Sequence, residues 1–151
     1  MQTHKHLGIY LSSNLDWTRH IDFICLRANQ RLGVLRKNTL LQRQTLDILY
    51  KLTIRSIFDY GLIVYYNSLK VTDKDRLDRI QYSAAKLVTG ALHHTSKAKL
   101  YNTLGWETIH ERAEFLGMTL FHKIHCNETR PLIKTNMQAY KPNENLRGKG
   151  I

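Results

Sequence analysis

From Trp17 to Leu35 the apolar residues fall at Trp17, Ile21, Ile24, Ala28, Leu32 and Leu35, steps of three and four that a helix gathers on one face. Asn14 or Ser13 is placed to cap this helix, and Lys37-Asn38 marks its end. A second helix is expected from about Arg43 to Tyr60 or beyond. Leu46, Leu49, Tyr50, Thr53, Ile57 and Tyr60 line one side, while Ile48, Ile54 and Phe58 fall elsewhere around it, so it is expected to be the most buried helix. A third opens at Thr72 as N-cap with an acidic first turn, Asp73 to Asp75. It carries Leu77, Ile80, Ala84, Leu87 and Val88 to Gly90. Ser96 to Leu104 predicts a short helix stopped by Gly105. Thr108 to Glu111 is a capping box that opens a last helix reaching about Cys126.

The first residues follow a different period. In His4 to Leu11, Leu7, Ile9 and Leu11 alternate with Gly8 and Tyr10, which predicts a single strand with no later partner. The expected fold is therefore all-α: four or five helices, one orphan N-terminal strand and a frayed C-terminal tail. Residues 1–14 form the strand segment, 15–127 the helical domain, and 128–151 a polar, flexible tail carrying Pro131 and Pro142.

Charge narrows the partners. The 151 residues hold 23 Lys and Arg against 12 Asp and Glu, a formal net charge of +11 that favours anionic partners, nucleic acid first and an acidic membrane surface second. No hydrophobic run is long enough for a membrane span or a signal peptide. Cys25 and Cys126 lie far apart and outside any CxxC pair, which fits a reducing intracellular compartment, nuclear or cytoplasmic.

Nucleotidyl transfer requires clustered carboxylates to hold two divalent ions, and no two acidic residues here are adjacent. Asp75 and Arg79 have i, i+4 spacing, which suits a surface ion pair. His122, His125 and Cys126 share a helical stretch without a second ligand cluster, so no metal site, cofactor or catalytic residue is expected. On the first helix His20, Arg27 and Arg31 form a stripe beside the apolar face, continued by Arg36 and Lys37. Arg79 and Lys86 point outward on the third. Such stripes can neutralise phosphates along a duplex; spacing alone slightly favours a solvated face.

Read in order, several segments resemble the end of the reverse transcriptase domain, and the region after it, in non-LTR (LINE-type) retrotransposons of the jockey and CR1 kind. Lys5-His6-Leu7-Gly8-Ile9-Tyr10-Leu11 with Asn14-Leu15-Asp16-Trp17 is similar to the family's Leu-Gly strand and "LxW" element. Arg31-Leu32-Gly33-Val34-Leu35-Arg36-Lys37 resembles "RLGxLRR". Leu49-Tyr50-Lys51 with Arg55 to Gly61 resembles "LYKxxVRxxLEYG", and Leu77 to Gly90 resembles "LERIQRRAARxITG". Leu104-Gly105-Trp106 through Arg112, and Leu120 to Ile124, are similar to the late "LGWxxLxxRR" and "LFYKI" runs. The matches span roughly residues 4 to 133. His6, Ser56 and the pair Tyr82-Ser83 depart from the family's aromatic, proline and paired arginines, the last removing positive charge.

The resemblance implies that Leu7 and Gly8 belong to a primer-grip element at a palm's edge and that the helices are a thumb and its extension. The metal-binding aspartates of the family lie upstream of this element. The chain is then expected to be a fragment of an RNA-directed DNA polymerase from a transposable element, a decayed copy or gene-model fragment that does not polymerise alone. Mg2+ is expected only in a full-length parent. Its partners would be an RNA/DNA duplex or primer-template, gripped without sequence preference by His20, Arg27, Arg31, Arg36 and Lys37, and the missing palm. The alternative is a co-opted helical protein-interaction module with no nucleic-acid role.

Overall fold

The computed structural model describes residues 3–38, 40–92 and 94–126. The expected tail, 128–151, lies outside them. The chain divides into two units, Met1–Glu114 and Phe115–Ile151.

The first residues form a hairpin, not a lone strand. Strand β1 (Thr3–His6) pairs antiparallel with β2 (Ile9–Ser12), with His6 opposite Ile9 and Thr3 opposite Ser12. Leu7 and Gly8 take φ of 46° and 85°. Two consecutive left-handed residues make the turn whose twist matches that of the flanking strands. The partner missing from the sequence reading was thus the other half of the same segment, folded back at a dipeptide that alternation alone assigns to strand. The hairpin is docked as well as paired: Tyr60 donates its hydroxyl hydrogen to the Leu7 carbonyl. At Gly61, with φ of 70°, an added Cβ would stand 2.7 Å from Ile9 Cδ1.

Helix α1 (Thr18–Lys37) buries Ile21, Ile24, Ala28, Leu32 and Leu35, the expected face. Its start differs. Asp16 Oδ1 accepts from the backbone N–H of Thr18 at 3.0 Å and from its hydroxyl at 2.7 Å. Asn14 instead accepts from Ser12 Oγ and the Asp16 N–H in the preceding turn. The Thr18 bonds, with Lys70, hold the half-buried Asp16 carboxyl down at about 2.

Helix α2 (Arg43–Tyr50) passes through a π-helical turn, Lys51–Arg55, into α3 (Ser56–Asp59). The buried residues are Leu46, Tyr50, Ile54 and Phe58, each four from the last. At 3.6 residues per turn steps of four drift around a helix, and a wider turn returns them to phase. Of the residues expected to make this helix apolar all round, Ile54 and Phe58 are therefore core, whereas Ile48 and Tyr60 are 55% and 56% exposed. Thr53 and Ser56 each donate a hydroxyl hydrogen to the carbonyl four residues back, at 2.6 Å.

After Gly61 come α4 (Leu62–Tyr65) and a 3-10 turn, Tyr66–Ser68, both additions to the expected set. Helix α5 (Val71–Thr89) begins one residue before Thr72, which is not its cap; Gly90 ends it at φ 65°. Helix α6 (Lys97–Leu104) is capped by Ser96 and stopped by Gly105 at φ 62°. Before α7 (Ile109–His125) the capping box forms as expected. The Thr108 N–H donates to Glu111 Oε2 at 2.8 Å, and the Glu111 N–H donates to Thr108 Oγ1 at 3.1 Å.

Within the first unit, α1 and the α2–α3 helix pack with α5 around Tyr50, Ile54, Phe58, Leu62 and Leu77. Trp106 stacks on Tyr50 at 3.9 Å between ring centroids and donates its indole N–H to Asp47 at 2.7 Å. Arg112 grips Asp59 with two nitrogens, at 3.3 and 3.0 Å. In the second unit the described residues are 115–126, where Phe115, Met118 and Phe121 are exposed. Among the described residues no helix is long and apolar enough to cross a membrane.

Candidate nucleic-acid interface

Of the residues expected to form a stripe along α1, Arg27 and Arg31 are exposed on one border of the helix and His20 is not. His20 is 2% exposed, so it does not offer its ring to solvent. Its Nδ1 accepts the backbone N–H of Tyr10 at 3.4 Å, which leaves the ring proton on Nε2. That nitrogen has no conventional acceptor. The His20 and Tyr65 rings pack in a T-shaped arrangement, centroids 4.9 Å apart at 77°. Burial lowers the His20 pKa, so the imidazole is neutral near pH 7. His20 is thus a core residue that fastens β2 to α1, in place of the expected phosphate contact.

Arg19 takes its place. Arg19, Phe23, Arg27 and Arg31 recur at every fourth residue along the exposed border of α1, beside the hairpin. Arg19 lies over the Tyr10 ring at 5.7 Å. Lys5, from β1, lies over both Tyr10, at 5.4 Å, and Phe23, at 5.5 Å. Arg27 reaches the Phe23 ring at 5.4 Å. Tyr10 and Phe23 meet edge to face at 5.1 Å. Cations and rings therefore alternate in the order Arg19, Tyr10, Lys5, Phe23, Arg27 across three elements, β1, β2 and α1. Each ring orients its cation without neutralising it. Among the described residues none of Lys5, Arg19, Arg27 and Arg31 has a carboxylate within ion-pair distance.

Behind this face lies a cleft of about 360 Å3 bounded by Lys5, Leu7, Gly8, Phe23, Arg27 and Tyr60, with Ile24 and Ile57 among its apolar walls. The structure thus brings Leu7, Gly8 and Arg27 to one place. Arg31 continues the row and is exposed, as are Arg36 and Lys37, which do not join it. Arg36 is nine residues beyond Arg27, roughly half a revolution around the helix. Sequence reasoning missed Lys5, Arg19, Tyr10, Phe23 and Tyr60. The four-residue spacing from Arg19 to Arg31 was visible, but placing Lys5 and Tyr10 against it required knowing that the hairpin closes.

Neither a family model nor a curated protein nor a solved structure matches this chain. The site is therefore read from its own chemistry. Lys5, Arg19, Arg27 and Arg31 offer charge to phosphate oxygens, and the half-buried Tyr10 and Phe23 hold three of those cations in place. In the second unit Cys126 Sγ and His122 Nε2 are 3.5 Å apart. Among the described residues no group of three His, Cys, Asp or Glu could hold a metal ion.

Proposed function

We propose that this chain is the primer-template-gripping, thumb-like part of a non-LTR retrotransposon reverse transcriptase, without the palm that carries the chemistry. The supporting observation is the cation–aromatic ladder of Lys5, Arg19 and Arg27 on Tyr10 and Phe23, continued by Arg31, with no carboxylate partner among the described residues. It lies beside the Leu7-Gly8 turn that the family resemblance places at the primer grip. Four cations held at a solvent border contact backbone phosphates before base edges, so the grip is independent of sequence, as a translocating polymerase requires. The chain itself is not a polymerase in this reading: Mg2+ and the catalytic aspartates belong to the parent, which works inside the cell.

Binding to a primer-template duplex across a salt series tests the proposal. Each neutralised phosphate adds about 0.9 to the magnitude of the log-log slope. The double variant Arg27→Gln, Arg31→Gln is expected to lower that magnitude by roughly two with helicity unchanged. An unchanged slope would remove α1 from the interface. A second reading, a helical protein-interaction module, draws on Ile48 and Leu52, 55% and 67% exposed along the α2 region. Absence of duplex binding at low salt would favour it.

A further inference from the structure

On the opposite border of α1 a groove of about 270 Å3 runs between α1 and α5, lined by Asn29, Leu32 and Arg36 on one side and Arg76, Arg79 and Ser83 on the other. The three guanidinium groups are not equivalent. Arg76 is held by Asp22 at 2.6 Å and Asp73 at 3.1 Å. Arg36 and Arg79 have no carboxylate partner among the described residues. Asp75 stands four residues before Arg79, the spacing of a helical ion pair, yet that pair does not form. Two arginines that bridge elements of this unit are matched by carboxylates, Arg55 with Glu107 and Arg112 with Asp59. Arg36 and Arg79, both exposed, bring two cations from two helices to one groove over the apolar Leu32 and Ile80, where a single anion can meet both.

We propose that the α1–α5 groove is a binding site for a phosphate group, held between Arg36 and Arg79 with Arg76 as its fixed wall. A carboxylate offers two oxygens confined to one plane. A tetrahedral phosphate presents three or more acceptor oxygens and can engage two forks that arrive from different directions. The Asn29 amide, which has no hydrogen bond within the protein among the described residues, adds a neutral donor, whereas the Ser83 hydroxyl hydrogen is committed to the Arg79 carbonyl at 2.8 Å. This site is separate from the Lys5–Arg31 face, and it stands whether or not that face binds nucleic acid.

The experiment is an NMR titration of the full chain, following arginine Nε–H and backbone amide signals. Inorganic phosphate, tripolyphosphate and a blunt DNA duplex are added in turn, with chloride at matched ionic strength as the reference. The expected result is a saturable shift at Arg36, Arg79 and Asn29 with phosphate or tripolyphosphate and none with chloride. The double variant Arg36→Gln, Arg79→Gln should weaken that response by roughly tenfold or more, and Arg27→Gln, Arg31→Gln should leave it unchanged. The pair Arg36→Lys, Arg79→Lys keeps the charge and loses the forks, so it separates bidentate recognition from bulk attraction by an intermediate loss. A duplex that shifts these signals at lower concentration than free phosphate identifies a nucleic-acid strand as the source. A response to the free ions alone identifies a soluble phosphate compound. No saturable shift, or a shift that survives Arg36→Gln, Arg79→Gln, overturns the site.

Discussion

Neutral His20 ties the hairpin to α1 through an acceptor nitrogen, so its proton is a stability variable. Its folded pKa lies below the ordinary value of 6.5 because burial disfavours the charged ring. Above pH 6.5 folded and unfolded chains are both neutral at this position, and it adds no pH dependence. As the pH falls below 6.5 the unfolded chain takes up a proton that the folded one refuses, and stability is lost until the folded pKa is passed. Thermal unfolding between pH 7.5 and 5 should show this loss, at most about 1.4 kcal/mol per pH unit from one group. It should flatten in His20→Gln; an equal slope in the variant would assign the effect elsewhere. Leu7 offers the opposite lever. A leucine at φ 46° carries a steric cost that asparagine largely avoids, and Asn-Gly is the pair this turn prefers. Leu7→Asn is expected to stabilise the fold by about 1 kcal/mol in denaturant unfolding, and destabilisation would mean that the exposed leucine packs in a way its 76% exposure does not suggest.

The π turn at Lys51–Arg55 accommodates one residue more than an α-helix would. Leu52 sits in it, 67% exposed. Deleting Leu52 would leave the buried positions at the three- and four-residue spacing of a regular helix, so the variant should fold with a stability change of about 1 kcal/mol or less. Deleting exposed Asp75 from the regular α5 should cost several times more, because everything after it rotates by roughly 100°. Denaturant midpoints of the two deletions decide; equal losses would deny the π turn its phasing role. The same element shows where sequence reading ends. The faces of α1 and α5, the Gly90 and Gly105 stops and the Thr108–Glu111 box were legible because each depends on neighbours within a turn or two. The phase after Tyr50 was not, because Leu49, Thr53, Ile57 and Tyr60 also follow ordinary helical spacing and only tertiary packing fixes which side is buried. The hairpin failed for a related reason, since period two cannot tell a strand from a strand that folds back on itself.

For the molecule as a whole, cations outnumber carboxylates, and among the described residues Arg19, Arg27, Arg31 and Arg36 of α1 have no carboxylate partner. Self-repulsion should therefore limit stability at low ionic strength. Raising salt from about 10 mM to roughly 300 mM is expected to increase Tm by screening, since the Debye length falls below the reach of these surface charges. A fall in Tm would mean that pairs such as Arg112–Asp59 outweigh the repulsion. The candidate site was half legible in these terms: the sequence held its charges on α1, while Lys5 and the rings that orient them arrive from a strand pairing with no local signature. The two tryptophans divide the same unit. Trp17 is buried beside His20 and Tyr65, with ring centroids 6.2 and 6.0 Å away, and Trp106 is stacked on Tyr50. Emission from the Trp106→Phe protein therefore reports water reaching the hairpin side, and emission from Trp17→Phe reports the helical side. Optical spectroscopy can thus time the opening of each face separately, with no label attached.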